Sequence, residues 1–251
     1  MNKKLSTQLL MAIVIAGSIL SPAPTIIAGN TAKNQIVAEK RFKEDFIEDV
    51  KTMALKKNRE VLQEKAAVKR FRELTQNGSG LSSSDKLWLQ KVAVRYQVTS
   101  LASKPIAQWS SREWQTLENK IDIVPVSIVV AQAVHESNFG RSNLAQKGHN
   151  LFGQKTQKTG YLIKCGTTTK TFKVFKSHQD SVNAYIDNIN GCHAYREFRM
   201  ARLSCRDNNQ CLEGLALLDH IAVRYAEDQN YTKNVTRLMT QYDMRRFDYI
   251  I

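Results

Sequence analysis

Between Ile36 and Thr75 the chain contains neither glycine nor proline and is dense in lysine, arginine and glutamate. A stretch without backbone breakers favours one regular form, the α-helix. Its apolar residues agree, since Phe46, Val50 and Met53, then Val61, Val68 and Phe71, fall at helical spacing. The stripe is thin, so the reading is one long helix or two shorter ones with a solvated charged face. A basic tether lying on an anionic wall or membrane is the alternative for that face. Asn77-Gly78-Ser79-Gly80 then interrupts the pattern. This predicts a charged helical stalk and linker over 29–80 and a second unit over 81–251. Whether the stalk folds onto that unit is left open.

The formal charge is +14 over 251 residues, which calls for an anionic partner. The beginning of the chain narrows the choice. Lys3 and Lys4 precede an apolar stretch from Leu9 to Leu20, and Ser21-Pro22-Ala23-Pro24 ends it before Ile26-Ile27-Ala28. This has the layout of a secretory signal peptide over 1–28, with an uncleaved anchor as the alternative. Export to the periplasm or cell envelope argues against nucleic acid as the partner. It also permits disulfides among Cys165, Cys192, Cys205 and Cys211. The favoured pairing is Cys205–Cys211 with Cys165–Cys192. The spacings lack the close Cys-x-x-Cys pairs of structural zinc sites, so no metal and no cofactor are expected.

The rest reads as mostly helix. Trp88, Val92 and Tyr96 share one helical face after Ser82-Ser83-Ser84, and Ser110-Ser111-Arg112-Glu113 has the form of a capping box. Pro125 is expected in the first turn of a buried helix carrying Val126, Val129, Val130, Ala133 and Val134 and ending near Ser137. Tyr161-Leu162-Ile163 and Thr171 to Phe175 have strand character and predict a small β-hairpin. Helical stripes return at Val182, Tyr185, Ile186 and Ile189, at Leu215, Leu218, Ala222 and Tyr225, and at Val235, Leu238, Met239 and Tyr242.

Glu136 is the residue most suited to chemistry. It falls at the C-terminal end of an apolar helix, on the same side as Gln132. Partial burial and the negative end of the helix dipole both disfavour the carboxylate and raise its pKa. A carboxyl group that holds its proton near neutrality is what protonation of a glycosidic oxygen requires. A helix-terminal Glu pointing into solvent is the plainer alternative.

Glu136-Ser137-Asn138-Phe139-Gly140, followed by Asn150-Leu151-Phe152-Gly153-Gln154, resembles the peptidoglycan glucosaminidases of glycoside hydrolase family 73. Tyr225-Ala226-Glu227-Asp228-Gln229-Asn230-Tyr231 looks like the tyrosine element of that family. Val124-Pro125-Val126-Ser127, Ser181-Val182-Asn183-Ala184-Tyr185 and Ala194-Tyr195-Arg196 are similar to the Bax branch of the group. The resemblance implies a lysozyme-like helical fold with a small β lobe and cleavage of β-1,4 links after N-acetylglucosamine. It implies Glu136 as general acid and Tyr225 beside the reacting sugar, although Tyr225 also completes an apolar stripe. Gln132, Ser137, Asn150, Phe152, Gly153, Asp228 and Tyr231 would shape the substrate cleft, in a monomer acting on peptidoglycan strands.

Most glycosidases use two carboxylates. Here no Asp or Glu occurs from Ser137 through Gln179, and Asp180 reads as a helix cap. The remaining candidate, Asp228, could equally cap a turn. Substrate assistance by the sugar's N-acetyl group is therefore expected. The lysines of this acid-free stretch, among them Lys155, Lys164 and Lys173, would attract carboxylates of stem peptides if they flank a cleft. A muramidase or lytic transglycosylase, and a non-catalytic wall-binding protein with a degenerate fold, are the competing readings.

Overall fold

The computed structural model describes residues 25–156, 161–165, 168–208, 212–225 and 230–250. The apolar stretch of the expected signal peptide and the Asp228 position lie outside them. Contacts divide the chain into two units, 1–41 and 42–251. The position of the boundary expected at Gly80 lies inside the second of these units. The reason is the packing of helix α1, Thr25–Gln76, which is continuous through the charged segment.

From Phe42 onward α1 belongs to the same unit as the rest of the chain. Ile47, Val50, Ala54, Val61, Val68 and Phe71 are all buried in its core. Polar side chains add fixed attachments. Asn58 exchanges two hydrogen bonds with the Val124 backbone, Nδ2 donating at 2.7 Å and Oδ1 accepting at 3.2 Å. Lys57 pairs with Asp187 at 2.9 Å, Lys65 with Asp122 at 2.7 Å and Arg72 with Glu118 at 2.9 Å. A solvated stalk would satisfy none of these groups in this way. The thin stripe is an internal surface because charged residues flanking it also find partners.

Helix α2, Ser83–Arg95, opens with a capping box between Ser82 and Asp85. Helix α3, Ser111–Lys120, does the same with Ser110 and Glu113, as its sequence predicts. Helix α4, Val126–Ser137, is buried from Val126 to Val134. Pro125 occupies its N-cap position, one residue before the first turn. Proline offers no side-chain cap, and Asp248 substitutes from a distance of over a hundred residues in sequence. Its carboxylate accepts from the Ser127 N–H at 2.9 Å, the Ser127 hydroxyl at 2.7 Å and the Gly214 N–H at 2.8 Å.

After the short helix α5, Asn143–Gly148, strands β1, Tyr161–Cys165, and β2, Thr168–Phe172, pair antiparallel with Tyr161 opposite Phe172. The second strand ends three residues earlier than its sequence pattern suggests. Lys173 and Phe175 instead donate backbone hydrogen bonds to Gln154 and Gly148, at 2.8 and 2.9 Å, which ties the hairpin to the loop after α5.

Helices α6, His178–Gly191, α7, Arg196–Asp207, α8, Gly214–Tyr225, and α9, Tyr231–Gln241, complete the mainly helical architecture. The expected α6 stripe of Val182, Tyr185, Ile186 and Ile189 is wholly buried. Cys192 and Cys205 carry free thiols, so neither expected disulfide is formed. Both side chains are half-buried and pack against the apolar core. Among the described residues no helix is long and apolar enough to cross a membrane.

Candidate active site

Glu136 sits one residue before the end of α4, where the backbone turns sharply. Asn138, Phe139 and Gly140 follow with φ of 49°, 55° and 76°. Left-handed geometry is costly for a residue such as Phe139, and it persists only when its surroundings enforce it. Here they do. The Phe139 ring is buried and packs edge-on against Phe46 of α1 and Tyr242, at centroid distances of 6.2 and 5.8 Å. Gly140 is required twice over, because a Cβ there would lie 2.8 Å from the Phe46 ring.

Ser137 closes the turn from inside. Its hydroxyl donates to the Ala133 carbonyl at 2.6 Å and accepts from the Gly140 N–H at 2.7 Å. The side chain is fully buried, so its place is under the site, not against a ligand as its motif suggests.

The Glu136 carboxyl is half-buried. Burial raises its pKa, and a hydrogen bond from the Tyr231 hydroxyl opposes the rise without cancelling it. That hydroxyl is held in turn, accepting from Gln132 Nε2 at 2.8 Å. Gln132 Oε1 then accepts from the Tyr185 hydroxyl. Tyr185, Gln132 and Tyr231 thus form one chain of donors ending on Glu136. Gln132 is completely buried and uses both ends of its amide, so it positions Tyr231 and has no face for substrate. Burial pushes the Tyr185 and Tyr231 hydroxyls far up, which keeps them neutral donors.

A loop from Asn150 to Gln154 forms the wall beside the carboxyl. Asn150 is buried and saturates its amide: Nδ2 donates to the Gln154 and Lys173 carbonyls at 2.9 and 3.0 Å, and Oδ1 accepts from the N–H of Phe152 and Gln154. The Ser181 hydroxyl on α6 accepts from the Leu151 N–H at 3.1 Å. Phe152 stacks on Tyr185 at 4.1 Å. Gly153, at φ 61°, brings backbone next to Glu136, where a Cβ would stand 3.7 Å from Oε2. Asn150 and Phe152 are therefore supports of the wall, and Gly153 is the part of it that faces the acid.

Five of the expected residues, Glu136, Gln132, Tyr231, Phe152 and Gly153, are brought together through these contacts, and Asn150 and Ser137 hold them. Tyr225 is the last residue of α8. Its side chain, and Asp228, lie outside the described residues. Asp180 lies in the first turn of α6 beside the cap Ser177, whose hydroxyl accepts from the Asp180 N–H at 3.2 Å and donates to its carboxylate at 2.9 Å. Among the described residues no second carboxylate contributes to the shift of Glu136. The apolar stripe and the Ser181–Tyr185 motif both include Tyr185, but neither assigns its hydroxyl a role. Its signal was available, since a buried tyrosine needs a partner for its hydroxyl.

A helical unit with a half-buried glutamate of raised pKa at a helix end has the makings of a glycosidase acid site. The chain belongs to the glucosaminidase family: the family model, described as mannosyl-glycoprotein endo-beta-N-acetylglucosaminidase, matches residues 111–244, more than half of the chain. It is 31% identical to Protein bax of Escherichia coli (strain K12) over 154 residues, 60% of this chain and 53% of that protein. It is 27% identical to the exo-glucosaminidase LytG of Bacillus subtilis (strain 168) over 145 residues, 53% of this chain and 49% of that one. The chain thus spans about half the length of these two relatives. The catalytic domain of the autolysin Auto from Listeria monocytogenes is similar with a TM-score of 0.45 at 17% identity, covering 86% of this chain and 96% of that one.

Proposed function

We propose that this protein is exported to the cell envelope and hydrolyses peptidoglycan strands at the β-1,4 link after N-acetylglucosamine. Glu136 is the general acid. The observation that carries this reading is its carboxyl group, its pKa raised by burial, oriented by Tyr231 and flanked by the open backbone of Gly153. A proton held there can pass to the glycosidic oxygen as the bond breaks.

The acid-free stretch from Ser137 through Gln179 supports substrate assistance. The carbonyl oxygen of the N-acetyl group attacks the anomeric carbon while Glu136 protonates the leaving oxygen. Water then opens the cyclic intermediate, returning the proton to Glu136. Tyr225 steadies the acetamido group in this scheme. Replacing Asp180 or Asp228 by Asn then leaves most of the activity, and a large loss in either, with the fold intact, would restore an ordinary second carboxylate.

The deciding experiment compares wild type with Glu136→Gln on purified peptidoglycan, with mass spectrometry of borohydride-reduced products. N-acetylglucosaminitol at new ends, produced by wild type alone, is expected. N-acetylmuramitol ends would make the protein a muramidase, and anhydromuramic acid a lytic transglycosylase. Binding to the wall without products from either protein would leave a non-catalytic role.

A further inference from the structure

Helix α6 runs from the Glu136 site, where Ser181 and Tyr185 take part, to Gly191 at its other end. There it borders a cavity of about 530 Å³. Arg112 and Lys120 of α3 and Arg196 and Arg199 of α7 line it, with His193 between, and no acidic side chain does. Thr116 and Asn119 add a hydroxyl and an amide. Glu197 opens instead onto a smaller neighbouring hollow.

The charges of this cavity are uncompensated. Arg112, Lys120, Arg196 and Arg199 make no ion pair among the described residues. Arg199 is buried and spends one guanidinium nitrogen on the Ile189 and Cys192 carbonyls, at 2.9 and 2.7 Å. Lys120 donates to the carbonyls of Tyr96 and Gly191, at 2.9 and 2.8 Å. Burial, and then the nearby Arg199, lower the Lys120 ammonium to about 8. One turn along α7, Arg202 is buried too, but there the molecule supplies Asp122 as a counter-charge. In the cavity, buried Arg199 and half-buried Lys120 have no such acidic partner among the described residues, and the exposed Arg112 and Arg196 add to their positive field.

We infer that this cavity binds a carboxylate-bearing peptide, the acidic stem peptide that branches from a peptidoglycan strand. The assignment rests on the proposed substrate. Several separated guanidinium and ammonium groups suit more than one carboxylate, and guanidinium forks match carboxylate geometry. The volume is that of a ligand of a few residues, too roomy for a single small anion. The amide and hydroxyl donors at its wall suit a peptide backbone. The cavity is separate from the lysines of the hairpin stretch and would hold a strand by its branch while Glu136 acts on the sugar.

The test uses the full chain and the tripeptide L-alanyl-D-glutamyl-meso-diaminopimelate, with binding read by titration calorimetry. The Arg112 and Arg196 side chains are exposed and make no hydrogen bond among the described residues, so the double variant Arg112→Glu, Arg196→Glu keeps its structure. Its affinity for the tripeptide is expected to fall about tenfold or more, and that of wild type to weaken as salt rises. The variant cuts peptide-free glycan strands at the wild-type rate but whole sacculi several times more slowly. Equal tripeptide binding by both proteins, or none by either, overturns the inference. So does displacement of the tripeptide by an equal concentration of inorganic phosphate. Tripeptide binding by a wild type that cuts no glycan would instead break the hydrolase reading and leave the cavity with its ligand.

Discussion

Glu136 and Asp122 are both carboxylates withdrawn from water, and their surroundings send them in opposite directions. Burial pushes each one up. At Asp122, which is 3% exposed, Arg202, Arg206 and Lys65 together outweigh burial and hold the carboxyl down at about 2. At Glu136 the only opposing influence among the described residues is one neutral hydroxyl, and the pKa stays raised. The difference lies in the neighbours more than in the depth. A buried acid ringed by cations is a structural rivet, fixed in its ionised form. A buried acid whose described neighbours offer one neutral donor keeps a raised pKa, as a proton donor needs.

The largest effects should separate the two sites by what is lost. Glu136→Gln is expected to cut glycan hydrolysis by about 10²–10⁴-fold while leaving the denaturation midpoint nearly unchanged. Asp122→Asn should do the reverse, costing about 3–5 kcal/mol in urea unfolding because buried Arg202 loses its counter-charge. Folded Asp122→Asn protein then retains its rate per molecule. A variant that loses both properties equally at either position would erase the distinction.

Acid titration sharpens the same comparison. Asp122 has a depressed folded pKa, so its stabilising contribution is complete above its ordinary value near ~4 and is lost as pH falls toward about 2. Glu136 has a raised folded pKa, so its contribution is present at low pH and is lost as pH rises through the folded value. Unfolding measured between these limits should lose its low-pH slope in Asp122→Asn and keep it in Glu136→Gln.

Tyr231→Phe acts on the one donor that Glu136 has among the described residues. Removing it should push the carboxyl further up, moving the alkaline limb of the pH–rate profile to higher pH. Activity should fall roughly tenfold, the scale of one hydrogen bond to a charged group. The smallest change expected is Gly153→Ala, where the left-handed backbone costs about 1–2 kcal/mol and the methyl group comes into van der Waals contact with Oε2. It should show as a modest drop in stability with a measurable rise in KM.

Much of this was legible from residue order. Periodicity located α1, α4 and α6, and the capping pairs Ser110 with Glu113 and Ser177 with Asp180 marked two helix starts to the residue. These features are local: a cap or an amphipathic stripe needs only neighbours within a turn or two. The motif around Glu136 drew attention to the right residues, but not to their division of labour. Ser137, Gln132 and Asn150 were read as contacts to substrate, and each is buried with its polar atoms used internally.

The charged segment shows the limit most plainly. Its helical form followed from composition, yet a solvated stalk and a core helix can share one thin stripe. Only the partners supplied by distant positions, Val124 for Asn58, Asp122 for Lys65 and Glu118 for Arg72, decide between them. Asp248 capping α4 and Tyr185 reaching Gln132 are of the same kind.

Sequence alone thus determined the helices, the hairpin region and the identity of the candidate acid, because these depend on local periodicity and short motifs. Tertiary structure decided where the compact unit begins, that Cys192 and Cys205 remain free thiols, and which buried carboxylate is neutralised by cations. Those outcomes depend on which groups meet across long stretches of chain, and low dielectric magnifies each such meeting into a choice of charge state.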